Sequence, residues 1–312
     1  MKNQNNKKNQ PLVSVIMPVY NAGSFLVEAI ESILNQTYKN FEFIIVDDAS
    51  TDNSWEIIKK YNKKYSKKIK AYRLSKTLNR GGDACANYAL KKAKGKYIAR
   101  MDADDISHPE RLEKQVKFLQ KNKNVWLVGS NAWVIDKKGK KIGEKKVPTS
   151  YQEIYKQYFI FHPIIHPSVM FKSKINGKKF FYPKKFSANN DYYIFFKLLV
   201  TKGFIFANLS DKLLFYRIHG KNDTFSKIKE KFLNTLKIRL LMVKAGYEPK
   251  INQWIINFFQ AILFLIFPEK ILKYIYLLSR GILKKEKLLN IIKLTFKNSI
   301  KIPKKLIRLA YS

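Results

Sequence analysis

Three carboxylates lie within four residues at the end of an apolar segment. Asp102, Asp104 and Asp105 follow the strand-like residues 97–101. Carboxylates this close repel one another, and burying them unpaired costs free energy, so a positive group must compensate. Oxygen ligands on a loop suit Mg²⁺ or Mn²⁺, which usually completes its coordination shell with substrate phosphates. The alternative is a solvated acidic turn in which an aspartate caps the next helix.

The segments around this acidic loop predict where it lies in a fold. Residues 96–101 are predicted to form a strand, and Ser107 to Glu110 resembles a capping box, with Pro109 in the first turn of the next helix. Ligands of open α/β sheets bind at the carboxyl ends of the strands. This position therefore favours a ligand-binding loop over an ordinary turn.

The first hundred residues alternate between predicted strands and predicted helices. Ser24 is predicted to cap the first helix, because serine is a common N-cap residue. Three strand–helix units in succession predict a doubly wound, mostly parallel sheet. The predicted strands are residues 12–17, 41–46, 69–74 and 96–101, and the helices that follow the second and third strands are residues 51–61 and 81–93.

The turns after the first, second and fourth predicted strands carry Tyr20, Asp48 and Asp104. The first turn lacks Gly-x-Gly-x-x-Gly, so a dinucleotide cofactor is not expected. At one sheet edge, an aromatic ring could stack on a base, a carboxylate could accept hydrogen bonds from base or ribose, and a metal could bridge phosphates. This combination suits a nucleoside diphosphate. Taken singly, Tyr20 could be a packing residue and Asp48 a turn residue.

Three segments together resemble the family 2 glycosyltransferases of the GT-A (nucleotide-diphospho-sugar transferase-like) fold. They are residues 14–21, 45–52 and 99–105, in the right order and at plausible spacing. The resemblance covers about residues 12–226. It implies an inverting, metal-dependent hexosyltransferase that moves a sugar from a nucleotide-sugar to an acceptor hydroxyl. UDP is the expected nucleotide, because it is frequent in the family.

The resemblance also assigns roles on the donor side. Asp102 and Asp104 would form the Asp-x-Asp motif, with Asp104 as the direct ligand of Mn²⁺ or Mg²⁺. Tyr20 and Asp48 would contact the base. Arg80 could contact phosphate or base, or could be an ordinary surface arginine. The residues expected to bind the nucleotide-sugar are Pro18, Tyr20, Asp48, Arg80 and Asp102.

On the acceptor side, Asp191 takes the position of the family's catalytic base. Residues 188–198 resemble the Glu-Asp-Tyr-Asp-Leu helix start, in which the second acid is the base. An acceptor hydroxyl is a poor nucleophile until its proton is accepted. Asn190 stands where the family usually has glutamate, so no second acid is available there to tune Asp191. Asp191 could also be a helix N-cap, and both roles can hold together.

Two histidines are further candidates. His219 lies in a Tyr-Arg-x-His segment that resembles the family's closing motif and could reach the metal or the diphosphate. Imidazole suits Mn²⁺ better than Mg²⁺, although a structural hydrogen bond is the competing interpretation. His166 begins a segment that resembles the family's acceptor-side strand. It could line the site or be a partly buried structural histidine.

The charge of the chain is strongly positive, with a formal net charge of +38 over 312 residues. Such a charge favours anionic partners. We predict a disordered basic lead-in at residues 1–11 without the apolar segment of a signal peptide, a GT-A catalytic domain at 12–226, and a helical, Lys-rich appendage at 227–312. The single cysteine, Cys85, excludes an internal disulfide and fits a reducing compartment.

The appendage contains basic amphipathic segments. Residues 254–267 are strongly apolar, but they fall short of the roughly 20 residues needed to cross a bilayer. Lys interleaved with Leu, Ile and aromatics at helical spacing favours contact with an anionic membrane surface. The alternative is a helical subdomain that packs on the catalytic domain.

These features predict a cytoplasmic enzyme bound peripherally to the cytoplasmic face of the membrane. Its acceptor would be a glycan or a lipid-linked glycan in cell-surface polysaccharide synthesis. The alternative function is a non-catalytic protein on the same scaffold that binds nucleic acid or glycan. Nucleic acid is not expected as a partner, because the sequence shows no RNP, helix-turn-helix or zinc-finger signature.

Overall fold

The computed structural model describes residues 10–78, 82–186, 188–219 and 228–279. Its strands are β1 (Val13–Val19), β2 (Phe41–Asp47), β3 (Ile69–Arg73), β4 (Tyr97–Arg100), β5 (Ile106–Ser107), β6 (Val125–Asp136), β7 (Lys141–Lys145), β8 (Met170–Lys172), β9 (Lys174–Ile175), β10 (Lys178–Lys179) and β11 (Ile205–Ile218). Its helices are α1 (Gly23–Leu34), α2 (Ser54–Lys64), α3 (Asp83–Lys92), α4 (Arg111–Lys121), α5 (Tyr151–Gln157), α6 (Asn190–Lys202), α7 (Ile228–Lys244), α8 (Ile251–Ile266) and α9 (Glu269–Ser279), with a short 3₁₀ helix at His166–Ser168.

The central sheet has nine strands in the order β3-β2-β1-β4-β8-β6-β11-β5, with β7 paired to β6. β1 pairs in parallel with β2 on one side and with β4 on the other. The chain therefore winds outward from β1 in both directions, and the carboxyl ends of such strands form the ligand crevice of α/β proteins. The predicted doubly wound sheet is confirmed. Its second half is mixed, because β8 runs antiparallel to β4 and β6.

Helices cover both faces of the sheet. Val13, Val15 and Met17 of β1 are buried against α1, α2 and α4, while Ile16 faces a second core formed with α3, α5 and α6. A strand with both faces buried needs a nearly continuous apolar run rather than alternation. This requirement explains why β1, β2 and β4 were visible in the sequence.

The predicted cap of the first helix is wrong. α1 begins at Gly23 after the N-cap residue Ala22, and no side chain of its own caps it, so Ser24 lies inside the helix. The free N–H groups are satisfied from another segment instead. Ala22 donates to the Ser54 hydroxyl at 3.0 Å, and Gly23 donates to Asp52 at 2.9 Å. A tertiary contact has therefore replaced the local cap.

The predicted capping box at Ser107 is also wrong. Ser107 belongs to β5, and its hydroxyl accepts a hydrogen bond from Gln36 at 3.2 Å. The N-cap residue of α4 is Glu110, without a side-chain capping bond, and Pro109 precedes the helix. The hydroxyl is unavailable as a cap because the short strand turns it toward α1 and its neighbour Gln36.

The predicted C-terminal helices are present as α7, α8 and α9. α7 and α8 pack on the preceding part of the chain through polar side chains. Asn189 donates to the carbonyl of Lys231 at 2.8 Å. Buried Arg239 donates to the Tyr192 hydroxyl at 3.2 Å and to Asn257. α7 and α8 are thereby attached to α6 and to the loop before it.

None of the helices in the described ranges is long and apolar enough to cross a membrane. The predicted lead-in before residue 10, the predicted domain boundary near residue 226 and the basic residues after 279 lie outside the described residues. The division into a catalytic domain and a tail stays a prediction.

Candidate active site

The acidic loop follows β4 directly. Asp105 is buried, and its Oδ1 accepts a hydrogen bond from the backbone N–H of Arg217 at 2.9 Å. Its Oδ2 is also buried and has no hydrogen-bond partner among the described residues. Burial raises the pKa of Asp105 well above its ordinary value, and the nearby carboxylates of Asp104 and Asp102 raise it further. The hydrogen bonds of this loop therefore do not fully compensate its negative charge.

Arg217 locks this loop to the rest of the fold. Its buried guanidinium donates from Nε to the carbonyl of Asp104 at 2.8 Å and pairs with Glu28 of α1. It also lies over the ring of Phe25, 4.9 Å from the centroid. We predicted no role for Arg217 from the sequence. Its position in β11, two residues before His219, was the available signal, because alternate residues of a strand share a face.

Asp104 and His219, the two metal ligands predicted from the sequence, lie next to each other. His219 Nε2 lies 2.9 Å from Asp104 Oδ2, and the imidazole packs against Phe25 with ring centroids 4.7 Å apart. A carboxylate oxygen and an imidazole nitrogen form a donor set that suits Mn²⁺. Within the described ranges, no three His, Cys, Asp or Glu side chains cluster closely enough to hold a metal. Substrate phosphates commonly complete the coordination shell of such a cation.

Asp102 is held by Arg100, the last residue of β4. Arg100 donates from Nε and Nη2 to Asp102 Oδ1 at 3.0 and 2.9 Å. Its Nη1 is buried without a partner in the part of the chain that is described. Gly82, the N-cap of α3, has a positive φ of 45°, and a Cβ there would come within 2.8 Å of the guanidinium. Glycine is therefore required for α3 to approach the Arg100–Asp102 pair.

A third buried arginine, Arg111, also contacts this region. Arg111 donates to the carbonyl of Arg100 at 2.6 Å, and burial lowers its pKa to about 10. Part of the positive charge that the carboxylates need is thus supplied by the protein itself.

Tyr20 and Asp48, the predicted base contacts, follow the neighbouring strands β1 and β2. Val19 at the end of β1 pairs with Asp47 at the end of β2, so Tyr20 and Asp48 follow at the same edge of the sheet. Tyr20 is 53% exposed and is not a core residue. Asp48 is buried, and its carboxylate accepts hydrogen bonds from the N–H of Leu78 at 2.8 Å and from a hydroxyl one residue earlier. Asp48 therefore also holds the loop after β3.

The remaining predicted donor contacts are Pro18 and Arg80. Pro18 lies beside Gly82, because its Cγ would be 3.6 Å from a Cβ built on that glycine. Arg80 lies outside the described residues. The structure brings Pro18, Tyr20, Asp48 and Asp102 to one edge of the sheet, and their binding roles stay predictions.

Asp191 lies in the first turn of α6. The N-cap residue is Asn189, so the N-cap interpretation of Asp191 is wrong. Its Oδ2 lies 3.2 Å from His162 Nε2 and 3.6 Å from His166 Nδ1. Burial acts to raise the pKa of Asp191, but the hydrogen bond from His162, the electrostatic influence of His166 and His162 and the backbone N–H of Tyr192 together outweigh it. The pKa is therefore lowered below its ordinary value. Asp191 is therefore an anion at neutral pH.

His166 both lines the site and makes a structural contact, so the two interpretations of it combine. Its Nε2 lies 2.8 Å from the Tyr182 hydroxyl, while Nδ1 faces Asp191. Burial lowers the pKa of His166 to about 3, which keeps the ring neutral. It is a poor candidate for a base of its own.

His162 was missed by sequence reasoning. It lies 29 residues before Asp191 and belongs to no motif that we identified. One signal was available in the sequence: His162 lies four residues before His166, and both directly precede a proline.

Asn190, at the position where the family usually has glutamate, clamps the preceding loop. Its Oδ1 accepts from the N–H of Phe186 at 3.0 Å, and its Nδ2 donates to the carbonyl of the same residue at 2.8 Å. The partners of Asp191 are therefore imidazoles rather than a second acid.

The sequence of the chain is similar to known glycosyltransferases. It is 38% identical over 275 residues to the uncharacterized glycosyltransferase MJ1057 of Methanocaldococcus jannaschii, which covers 85% of this chain and 92% of that protein. It is 37% identical over 215 residues to the O-antigen biosynthesis glycosyltransferase WbnJ of Escherichia coli, covering 68% and 81%.

Solved structures show the same fold. S. aureus TarS 1–349 in complex with UDP-GlcNAc gives a TM-score of 0.57 at 21% identity, covering 78% of this chain and 70% of that chain. The mannosyltransferase PcManGT from Pyrobaculum calidifontis, in complex with GDP-Man and Mn²⁺, gives 0.53 at 15% identity, covering 95% and 83%. Residues 14–178, more than half of the chain, match the model of Glycosyl transferase family 2, and the chain belongs to that family.

Proposed function

We propose that this protein is an inverting glycosyltransferase that transfers a hexose from a nucleotide-sugar, with a UDP-sugar as the first candidate donor. The observation that carries the proposal is the closeness of two centres. The Asp102–Asp104 loop follows β4, and Arg100 at the end of that strand donates its N–H to the carbonyl of Val169 at 3.0 Å. Val169 directly follows the 3₁₀ helix that contacts Asp191.

In this proposal Asp191 is the catalytic base of a single displacement. It takes the proton of the acceptor hydroxyl as that oxygen forms a bond to the anomeric carbon. The bond from that carbon to the diphosphate breaks, and the nucleoside diphosphate leaves from the opposite face. Tyr20 stacks on the base of the nucleotide. Asp48 accepts from the base or ribose while it holds the loop after β3.

A divalent cation fits the donor side. Asp104 and His219 already converge, and Asp105 has a buried oxygen without a partner in the described structure. A cation held by Asp104 and His219, with phosphate oxygens as further ligands, would relieve this excess of negative charge. When bound, Mn²⁺ or Mg²⁺ would stabilise the charge on the leaving diphosphate. The Mn²⁺ in the complex of PcManGT supports this part of the proposal.

The acceptor is proposed to be a glycan or a lipid-linked glycan in cell-surface polysaccharide synthesis. The similarity to an O-antigen biosynthesis glycosyltransferase supports this class of acceptor.

Peripheral binding to the cytoplasmic face of an anionic membrane is the second part of the proposal. α8 buries polar side chains, Gln253 and Asn257, against the domain. Its apolar residues face outward, with Phe258 64%, Phe259 58% and Leu265 81% exposed. Large exposed apolar patches mark interaction surfaces. The excess of lysine on the chain makes anionic lipid the favoured partner.

Vesicle co-sedimentation tests this membrane proposal. We expect the full chain to bind anionic vesicles at low salt, and the double variant F258S/F259S to bind far less. The matched control is Ile142→Ser, an exposed apolar residue of β7. Binding of F258S/F259S equal to wild type would contradict the role of α8. Binding that ignores lipid charge and salt would remove the electrostatic part.

Release of nucleoside diphosphate tests the reaction itself. Purified protein is incubated with a panel of UDP- and GDP-sugars, with Mn²⁺ or Mg²⁺ and in EDTA. We expect release from at least one donor, dependent on the cation. The basic charge also suits a non-catalytic nucleic-acid-binding protein, so melting temperatures are compared. No release from any donor, together with stabilisation by an oligonucleotide but not by nucleotide-sugar and Mn²⁺, would favour that alternative.

A further inference from the structure

The two carboxylate oxygens of Asp191 have different contacts. His162 Nε2 at 3.2 Å and His166 Nδ1 at 3.6 Å both approach Oδ2. Neither imidazole contacts Oδ1. The two histidines thus hold Oδ2 in place and leave Oδ1 for contact with a substrate.

His162 is fixed in one orientation by the rings around it. Its imidazole packs against the rings of Tyr158, with centroids 5.6 Å apart, and Tyr192, with centroids 5.3 Å apart. Its Nδ1 is buried and has no hydrogen-bond partner in the described parts of the chain. Because Nε2 faces a carboxylate, the proton of the neutral ring belongs on Nε2, which leaves only a lone pair at Nδ1. His162 therefore donates to Asp191.

His166 is held in place by contacts that run from α3 through Tyr182. Asn87 of α3 donates to the carbonyl of Tyr182 and accepts from its N–H, both at 2.8 Å. The Tyr182 hydroxyl lies 2.8 Å from His166 Nε2. Burial raises the pKa of Tyr182 well above its ordinary value, so the phenol keeps its proton and donates. The proton of the neutral His166 ring then lies on Nδ1, toward Asp191.

We propose that His162 is a positioning residue of the transfer reaction, and that it fixes Asp191 through Oδ2 so that Oδ1 takes the proton of the acceptor. His166, held by Tyr182, gives weaker support from the other side. This inference rests on the proposed function of Asp191. In the step concerned, the acceptor O–H bond breaks and its proton moves to Oδ1. The new glycosidic bond forms, and the bond to the diphosphate breaks with its electrons on the leaving group.

The pH dependence of turnover reports this contact. The groups that face Asp191 are His162, His166, Tyr158 and Tyr192, with Tyr182 behind His166. The hydrogen bond from His162 lowers the pKa of Asp191, so the carboxylate stays ionised to lower pH. Activity is lost as the pH falls through that pKa. Removing the donor should therefore move the acid limb of the kcat profile to higher pH.

The test compares His162→Phe with His162→Gln. Phenylalanine keeps a ring against Tyr158 and Tyr192 but removes the donor, whereas the glutamine amide can place an N–H where Nε2 lies. We expect His162→Phe to lower kcat about 10- to 100-fold, because a misplaced reacting group costs up to about 10²-fold. Its acid limb should move up in pH, with the KM of the donor unchanged. His162→Gln should keep kcat within roughly fivefold of wild type.

Controls separate this inference from the function that it rests on. Tyr182→Phe should have the smaller effect, because it loosens only His166. Wild-type kcat and pH profile in His162→Phe would overturn the inference. So would an equal loss in His162→Phe and His162→Gln, accompanied by weaker nucleotide binding or a lower Tm, since that pattern indicates a purely structural role. Asp191→Asn is measured in parallel, and if it is fully active, the proposed base itself fails.

Discussion

The donor side and the acceptor side of the site are built in different ways. On the donor side, Tyr20 follows β1, and Asp48 and Asp102 follow β2 and β4, which pair with β1, so the sheet sets their positions. On the acceptor side, Asp191 lies on a helix and is fixed by His162, 29 residues away in the chain. The backbone ladder determines the first arrangement, and side-chain contacts across loops determine the second.

On each side, nevertheless, a buried arginine joins separate segments of the chain. Arg217 ties the acidic loop to α1, and Arg239 ties the region around α6 to α8. The difference lies in what each arginine connects. Arg217 joins parts of the catalytic domain, whereas Arg239 comes from the C-terminal helices. Donor binding should therefore be independent of these helices, and acceptor-side geometry should not.

The largest effect should come from the metal ligand on the donor side. Asp104→Asn should lower turnover by on the order of 10³-fold or more, because the charge on the leaving diphosphate loses its stabilisation. The fold should be unchanged, since the side chain is partly exposed. Nucleotide binding in Mn²⁺, measured by isothermal titration, should weaken. Full activity of Asp104→Asn in EDTA would remove the metal from the account.

Removal of the donor-side arginine should lower both stability and donor affinity. Arg217→Met removes the guanidinium donors to the carbonyl of Asp104 and to Glu28. We expect a loss of roughly 2–4 kcal/mol in the free energy of unfolding, because a buried carbonyl loses its partner. Denaturant titration measures this loss, and nucleotide titration measures binding. Arg217→Lys keeps the charge but loses the planar set of guanidinium donors. Its stability and nucleotide affinity should lie between those of wild type and Arg217→Met. An unchanged nucleotide affinity in folded Arg217→Met would contradict the loop-locking role.

Removal of Arg239, the acceptor-side arginine, should affect transfer to the acceptor but not nucleotide binding. The partners of Arg239 are neutral, so Arg239→Met should destabilise the protein by only about 1–3 kcal/mol. Because Arg239 contacts Tyr192, the neighbour of Asp191, transfer to an acceptor should slow. Nucleotide binding should stay at the wild-type level. If Arg239→Met weakens nucleotide binding as much as Arg217→Met does, the comparison between the two sides fails.

The smallest effect should come from Asp48. Its carboxylate accepts two hydrogen bonds from the loop after β3, and Asp48→Asn can keep part of this contact. We expect the KM of the donor to rise by roughly 3- to 10-fold with kcat nearly unchanged, because one hydrogen bond to a charged group is worth about 1.5–3 kcal/mol at most. Steady-state kinetics with varied donor concentration measures this. A large fall in kcat would give Asp48 a role in the reaction itself.

The donor side of the site was easier to predict from the sequence than the acceptor side. β1, β2 and β4 were predictable because buried parallel strands require apolar runs, and Asp104 was found because it directly follows one. The pairing of His162 with Asp191 could not be predicted, because nothing in the local sequence encodes a contact between a loop and a helix 29 residues on.

The wrong helix caps have the same cause. Ser107 is a good capping residue by type, but its hydroxyl is bound to Gln36, 71 residues away. Ser24 was not needed as a cap, because Ser54 and Asp52 satisfy the start of α1 from another segment. Local propensity fails where a tertiary partner satisfies the same backbone groups.

The central claim is that Asp191 is the base and that donor binding does not depend on it. Its most direct test is Asp191→Asn, measured for transfer rate with a responsive nucleotide-sugar and for nucleoside diphosphate affinity by isothermal titration. The account predicts a fall in kcat of roughly 10²–10⁴ with nearly unchanged affinity. Transfer at the wild-type rate by Asp191→Asn would contradict it, and the base would then have to be sought elsewhere in the site.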